Sequence, residues 1–205
     1  MNLKNKKCLV TGGTGLIGRQ VVDLLIRQGA VVTVASLDDI QLERAHCIKT
    51  DLCYFNNALE LTADQDVVFH LAGVKGSVVV TKEKPASFFV PLMQFNTNVL
   101  EAARVNKVEK IVYTSSIGAY QPYDIFYEKD AYVGEPMDVY PGWAKRMAEY
   151  QLETYAIQYG FHNFAILRPC NVYGPGDNFD ITNAMVIPTL MAKIDRGDDP
   201  VMVWG

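Results

Sequence analysis

The feature that most constrains the fold is a glycine-rich turn, TGGTGLIG at residues 11–18, between an apolar segment and a segment of helical period. Gly12 permits a tight turn, Gly15 lets another group approach the backbone, and Gly18 lets a helix pack closely on a strand. A helix that starts here offers free N–H groups and the positive end of its dipole, which bind phosphates. Because a strand precedes the turn and a helix follows it, the turn predicts a dinucleotide site.

Segments of strand character alternate with segments of helical period along the chain. Apolar runs predict strands over residues 7–11, 31–35, 47–49, 66–71, 110–115 and 164–168. Apolar residues at helical spacing predict helices over residues 16–28, 93–106 and about 142–159. Continuous apolar strands joined by helices indicate an α/β fold, a doubly wound parallel sheet with helices on both faces. Together with the turn, this predicts an NAD(P)-binding Rossmann fold.

Two further expectations concern packing and domain organisation. The stripe of the first helix that we expect to face the sheet consists of Ile17, Val21, Leu24 and Leu25. We expect residues 1–175 to form the Rossmann domain and residues 176–205 to begin a smaller substrate-binding domain. Residues 201–205 look like the start of a strand, so we expect this second domain to be truncated.

The composition argues against several classes of protein. The formal net charge is −4 with no block of like charge, whereas surfaces that bind nucleic acid are usually basic. No apolar run approaches the ~20 residues needed to cross a bilayer, so we expect no membrane span. The four cysteines form no CxxC pair and show no metal-ligand spacing, so we expect no metal site. Reduced thiols suit a cytoplasmic protein.

The end of the second strand bears on the choice between NAD and NADP. NAD-binding proteins carry an acidic residue there, which accepts hydrogen bonds from the ribose 2′-hydroxyl. Here that position holds Ser36. A neutral hydroxyl does not repel a 2′-phosphate, so Ser36 favours NADP, although Asp38 and Asp39 are close enough to reverse that preference.

A series of motifs resembles the extended short-chain dehydrogenases/reductases, also called the NAD-dependent epimerase/dehydratase family, and within it most nearly the GDP-L-fucose synthases. The motifs are TGGTGLIG (11–18), Asp51-Leu52, HLAG (70–73), TSS (114–116), RPCNVYGPGDNF (168–179) and VIP (186–188). The likeness covers nearly the whole chain, and its most specific part is residues 171–188. It implies NAD(P) as cofactor and a nucleotide-diphosphate sugar as substrate.

The resemblance also implies roles for individual residues. Those implied to bind cofactor are Gly12, Thr14, Gly15, Leu16, Ile17, Gly18, Ser36, Asp51, Leu52, Leu71, Ala72, Gly73, Lys145, Pro169 and Val172. Those implied to contact substrate are Ser116, Asn171, Asn183 and Lys193. The helices near 93–106 and 142–159 match those that form a four-helix homodimer interface in the family. The alternative is that their outer faces meet water.

The catalytic motif of the family is a tyrosine acid/base with a lysine four residues later, on the same helix face. The lysine lowers the pKa of the phenol and holds the nicotinamide ribose, while a serine, here Ser116, orients the sugar oxygen. In this chain Pro141 stands where the tyrosine belongs, and Tyr140 lies five residues before Lys145, roughly 140° around an ideal helix. Either Pro141 takes the first helical position and Tyr140 reaches Ser116 from a bent lead-in, or Tyr140 is merely packed and the site has lost its acid. We favour the first.

Other departures narrow the chemistry. Ile117 and Gly118 follow Ser116 where the dehydratases carry Asp-Glu, which argues against loss of water. Ile117 and Met185 replace the cysteine and histidine of the fucose synthases, so double epimerisation is not supported. What remains is hydride chemistry at one sugar carbon: 4-epimerisation or 4-keto reduction. The alternative is a catalytically silent NAD(P)-binding sensor or scaffold. His70 ends an apolar strand and predicts a buried core histidine rather than a catalytic one.

Overall fold

The computed structural model describes residues 2–74, 78–182 and 184–203. Within these residues one parallel sheet contains the strands β1 (Lys7–Thr11), β2 (Val31–Ser36), β3 (His46–Lys49), β4 (Val67–His70), β5 (Lys110–Thr114) and β6 (Phe164–Leu167). The helices are α1 (Leu16–Arg27), α2 (Phe55–Thr62), α3 (Val78–Glu83), α4 (Pro85–Val105), α5 (Val139–Tyr159) and α6 (Val186–Asp195). The strand order β3-β2-β1-β4-β5-β6 confirms the predicted doubly wound Rossmann arrangement.

The sheet separates two apolar cores. Because successive side chains of a strand point to opposite faces, Cys8 and Val10 of β1 pack with α1, whereas Leu9 packs with the other helices. The core on the α1 side contains Cys8, Val10, Val22, Leu25, Val32, Val34 and Val67. The larger core on the opposite side is built from α2, α4 and α5 over Leu9, Val68 and Ile111. Strands buried on both faces explain why they read as continuous apolar runs.

The buried stripe of α1 differs from the expected one. Its buried residues are Leu16, Gly18, Val22 and Leu25, and Leu24 is 57% exposed. A side chain at Gly18 would overlap the carbonyl oxygen of Gly12, so this glycine faces the turn. Val22 and Leu25 lie four and seven residues later and share its face. The close contact at the glycine therefore sets the rotation of the helix.

Several element boundaries also differ. Helix α4 begins at Pro85 rather than residue 93, since proline suits the first turn of a helix, and it continues through Pro91. Helices α2, α3 and α6 were not predicted, and residues 201–203 form no strand. Trp204 and Gly205 lie outside the described residues. Among the described residues, no helix is long and apolar enough to cross a membrane.

Candidate active site

A groove of about 530 Å³ opens at the carboxyl ends of β1, β2 and β4, where the strand order reverses. This switch point is where open α/β sheets bind ligands. The predicted cofactor residues that line it are Gly12, Thr14, Gly15, Leu16, Ile17, Gly18, Ser36, Asp51, Leu52, Leu71, Ala72 and Gly73. Lining residues that the sequence analysis did not assign include Leu37, Asp38, Thr50, Cys53, Pro91, Phe95, Gly176, Asp177 and Asn178. The turn and the two neighbouring strand ends thus form one cavity.

The glycines of the turn are needed for two different reasons. Gly12 has φ +67°, and a Cβ there would lie 2.8 Å from the Cα of Ala72. A Cβ at Gly18 would overlap the Gly12 carbonyl oxygen, so the fold itself requires these two glycines. Gly15 has an ordinary φ of −77° and is exposed, and its Cβ would meet only the Gly12 oxygen, at 3.3 Å. Gly15 is therefore best explained by a group that approaches the backbone from the groove.

The tip of α1 suits the diphosphate of a dinucleotide. In the part of the chain that the structure describes, Gly15 caps α1 without a side-chain hydrogen bond, and the first turn holds no acidic residue. The first N–H groups of a helix lack intrahelical acceptors, and they carry the positive end of its dipole. A diphosphate bound at Gly15 would accept hydrogen bonds from these N–H groups and would place its negative charge at the positive end of the dipole. The residues present therefore fit NAD(P).

The end of β2 places a carboxylate in the groove. The Thr14 hydroxyl donates to Oδ2 of Asp38 at 2.9 Å, and Oγ of Ser36 lies 2.8 Å from the same hydroxyl. Since Thr14 has one proton to give, Ser36 is the donor in the second bond. Nε of Arg19 donates to the Thr14 carbonyl at 2.6 Å. Asp38 lines the groove, while Arg19 is absent from its described lining. The sequence indicated Asp38 only as a neighbour of Ser36 and did not point to Arg19.

Ser116 and Lys145 both lie at the end of β5, outside the described lining of the groove. Ser116 follows this strand, and its Oγ accepts from the Gly118 N–H at 3.0 Å, capping a single 3₁₀ turn. Nζ of Lys145 donates to the Thr114 carbonyl at 2.7 Å and lies 5.2 Å from the ring centre of Tyr113. Burial lowers the pKa of Lys145 to about 8. Lys145 is therefore anchored to Thr114, which lies two residues before Ser116 in the sequence.

Tyr140 is not in the expected non-helical lead-in. Helix α5 begins at Val139, so Tyr140 and Pro141 take its second and third positions, and the expected first position for Pro141 is wrong. The reason is that N–H groups of the first turn need no intrahelical acceptor, so proline is tolerated there. Tyr140 is 49% exposed, and its ring packs edge-on against Phe89 at 6.3 Å. Among the described residues it forms no hydrogen bond with Ser116.

The other predicted residues lie apart from the described lining of the groove. The Pro169 carbonyl accepts from the Ile117 N–H at 3.1 Å, which ties the residue after β6 to the Ser116 turn. Asn171 and Val172 are exposed. Lys193 of α6 donates to the Met202 carbonyl at 2.6 Å. Asn183 lies outside the described residues.

A buried histidine and a buried ion pair lie near Lys145. His70 is fully buried and bonded on both ring nitrogens, to Oγ1 of Thr11 (2.7 Å) and Oδ1 of Asn96 (2.9 Å), which confirms the predicted core histidine. Its burial lowers its pKa to about 3. Glu149 of α5, also fully buried, accepts from Nε of Arg168 at 3.0 Å. This ion pair was not predicted from the sequence, where its signal was a glutamate four residues after Lys145.

Comparison with known proteins identifies the family. A family model described as the NAD dependent epimerase/dehydratase family matches residues 8–205. The chain belongs to this family. It is similar to GDP-L-fucose synthase of Azorhizobium caulinodans, at 28% identity over 98% of this chain and 64% of that synthase.

The chain is also similar to solved structures. A UDP-N-acetylglucosamine 4-epimerase from Methanobrevibacter ruminantium, in complex with UDP-N-acetylmuramic acid, has a TM-score of 0.83 and 27% identity, covering 97% of this chain and 66% of the epimerase. A GDP-L-fucose synthetase from Naegleria fowleri bound to NADP has a TM-score of 0.76 and 25% identity, covering 96% and 63%. The chain spans about two thirds of the length of these relatives, and the expected resemblance to GDP-L-fucose synthases is confirmed.

Proposed function

We propose that this chain is the cofactor-binding part of an NAD(P)-dependent nucleotide-sugar 4-epimerase or 4-keto-reductase. The observation that carries the proposal is the tip of α1 at the switch point, with no side-chain cap among the described residues, together with Ser116 and Lys145, which both lie at the end of β5. The similar fucose synthase and 4-epimerase are named for nucleotide sugars, which supports that class of substrate.

The chain's own residues supply binding, orientation and proton transfer. Bound NAD(P) accepts or supplies a hydride. Ser116 would hydrogen-bond the sugar oxygen at the reacting carbon, and Lys145 would hold the cofactor ribose. Tyr140 stays our candidate acid/base, and it must turn away from Phe89 to act. Ile117 cannot transfer a proton, which supports chemistry at one carbon rather than dehydration or double epimerisation.

We further propose NAD rather than NADP as the cofactor. The carboxylate of Asp38 lines the groove beside Ser36, where it can accept from a ribose 2′-hydroxyl and would repel a 2′-phosphate. This weighs against the NADP preference that Ser36 alone suggests. We expect Kd to be at least about tenfold lower for NAD, and Asp38→Asn to narrow that ratio while its neighbour Asp39→Asn leaves it unchanged. Tighter binding of NADP by the unaltered protein would refute this assignment.

The segment after β6 is proposed to begin the substrate domain. Residues 1–175 would form the cofactor domain, and residues 176–205 would begin the second. Asn171, Asn183 and Lys193 remain our candidates for contact with the nucleotide sugar. Support comes from Gly176, Asp177 and Asn178, which line the same groove as the glycine-rich turn. Pro169 and Val172 would lie at the nicotinamide end.

A homodimer through α4 and α5 is also proposed. The two helices pack together, and their outer surfaces expose Val90, Val105, Met147, Tyr150 and Ile157. Ile157→Asp should convert a dimer to a monomer by light scattering, whereas Leu24→Asp on α1 should not. A wild-type monomer would contradict this proposal.

We place the protein in the cytoplasm, which the free Cys8, Cys47, Cys53 and Cys170 support.

The activity can be tested on the full-length protein with NAD(P) and a panel of UDP-, GDP- and dTDP-sugars. NMR of the products detects 4-epimerisation, and loss of reduced-nicotinamide absorbance with 4-keto sugars detects reduction. Ser116→Ala and Tyr140→Phe should lower kcat by about 100-fold or more. Tyr159→Phe is the matched control, because Tyr159 lies on the same helix at the same exposure, 50%. No product across the panel would overturn the proposal.

A second candidate is an NAD(P)-binding sensor or scaffold without turnover. The placement of Tyr140 favours it, since the ring packs on Phe89 and lies five residues from Lys145. It predicts cofactor binding by calorimetry, no product, and the same cofactor affinity in Tyr140→Phe as in the unaltered protein.

A further inference from the structure

A continuous chain of hydrogen bonds runs through the core beneath the groove. The Ala72 N–H donates to Oγ1 of Thr11 at 3.2 Å, and this hydroxyl lies 2.7 Å from Nδ1 of His70. Nε2 of His70 lies 2.9 Å from Oδ1 of Asn96, whose Nδ2 donates to the Ala144 carbonyl at 3.5 Å. We call Thr11, His70 and Asn96 the buried relay. All three are at most 1% exposed, so water does not compete for these bonds.

The donors of the buried relay can be assigned from its acceptors. Oδ1 of Asn96 can only accept, so Nε2 of His70 carries a proton. Nδ1 must then accept from the Thr11 hydroxyl, which leaves the oxygen lone pairs of Thr11 for the Ala72 N–H. A second proton on His70 would turn Nδ1 into a donor and displace the Thr11 proton. The relay therefore needs one neutral tautomer of His70, and it satisfies every member.

Both ends of the buried relay reach the candidate site. Ala72 lines the groove, and its Cα lies 2.8 Å from where a Cβ on Gly12 of the phosphate-binding turn would be. Ala144, at the other end, directly precedes Lys145. Tyr113 provides a second link between His70 and Lys145. The His70 ring stacks on the Tyr113 ring with 5.7 Å between centroids, and Nζ of Lys145 also lies over the Tyr113 ring.

We propose that Thr11, His70 and Asn96 are positioning residues that hold the groove wall at Ala72 in register with Lys145. The effect on cofactor binding follows from the family's cofactor site, and the effect on Lys145 rests on the proposed function. A purely structural relay would lower stability without a specific loss of cofactor affinity.

Thr11→Val is the first test. Valine keeps the volume but leaves Ala72 N–H and Nδ1 of His70 without partners. Thr62→Val is the matched control, since Thr62 is equally buried and its hydroxyl bonds the Ala58 carbonyl in α2, remote from the groove lining. By calorimetry we expect NAD affinity to fall about tenfold in Thr11→Val and to stay within about twofold in Thr62→Val, at comparable losses of stability. Equal affinities in the two variants would overturn the proposal.

Two further measurements do not depend on turnover. Nitrogen NMR of the folded protein should show a proton on Nε2 of His70 and none on Nδ1, and the opposite tautomer would refute the relay. His70→Gln keeps one donor and one acceptor, so it should retain NAD affinity within about threefold, whereas His70→Phe should lose about tenfold. If the protein binds cofactor with these differences but makes no product, the proposed function fails and the relay stands.

Discussion

Acidification should destabilise this protein through His70 in particular. Burial lowers the pKa of His70 to about 3, with a smaller contribution from the nearby charge of Lys145. In the unfolded chain the same ring titrates near its ordinary value of about 6.5. Between these values the unfolded state binds a proton that the folded state does not. The stability that His70 confers is therefore complete above pH ~6.5 and falls as the pH decreases toward ~3.

The size of the effect follows from the two pKa values of His70. At pH ~4.5 the unfolded ring is almost fully protonated and the folded ring almost fully neutral, so linkage predicts a loss of about 2.5 kcal/mol relative to pH ~7. Carboxylates such as Asp66, whose pKa is lowered by a hydrogen bond from the Lys7 N–H, add their own acid sensitivity. The contribution of His70 must therefore be measured as a difference between proteins.

Urea unfolding of the wild type and His70→Gln at pH ~7 and ~4.5 supplies that difference. The acid-induced loss should be about 2.5 kcal/mol smaller in His70→Gln, because the amide occupies the same hydrogen bonds and does not titrate. His46→Gln is the control, since His46 is exposed and should behave as wild type. If wild type and His70→Gln lose the same stability, His70 is not held neutral in the folded state, and the donor assignment of the buried relay is wrong.

Two other predictions concern the turn and the buried ion pair. Gly15→Ala should keep the stability of the fold and lower NAD affinity about tenfold or more, whereas Gly18→Ala should lower both stability and affinity. Chemical denaturation would measure the stability and calorimetry the affinity. Equal stability of the two variants would contradict the different roles assigned to Gly15 and Gly18. Glu149→Gln should lower the free energy of unfolding by about 3–5 kcal/mol, because it leaves the charge of Arg168 unpaired at a mostly buried site. Asp198→Asn, in the solvent-accessible pair with Arg196, should leave stability nearly unchanged, and similar losses of the two variants in urea unfolding would refute the difference.

The sequence could predict what depends on neighbours along the chain. The first strand lies at residues 7–11 as predicted, and the strand–turn–helix pattern located Gly12, Gly15 and Gly18 correctly in the groove. The doubly wound arrangement followed from general rules for right-handed crossovers rather than from particular residues. Local pattern and chain topology together were enough to place the cofactor groove.

What the sequence could not predict are the partners of buried polar residues. Thr11 and His70 are separated by 59 residues, and His70 and Asn96 by 26. Residue type shows that such groups need hydrogen bonds, but only the packed fold shows which group supplies them. The predicted buried face of α1 was wrong for a related reason. The close contact at Gly18 decides which face of the helix is buried, and the spacing of apolar residues does not show that contact.

The position of Tyr140 follows from the same close packing. The backbone of Gly142 in α5 touches that of Gly118, and the Gly118 carbonyl also accepts from the Asp138 N–H at 3.2 Å. The start of α5 is therefore held against the turn that carries Ser116, and because Tyr140 and Lys145 lie on the same helix, their separation around its axis is fixed by their spacing. Backbone contacts thus fix Lys145 relative to Ser116, whereas Tyr140 can reach them only by rotating its own half-exposed side chain.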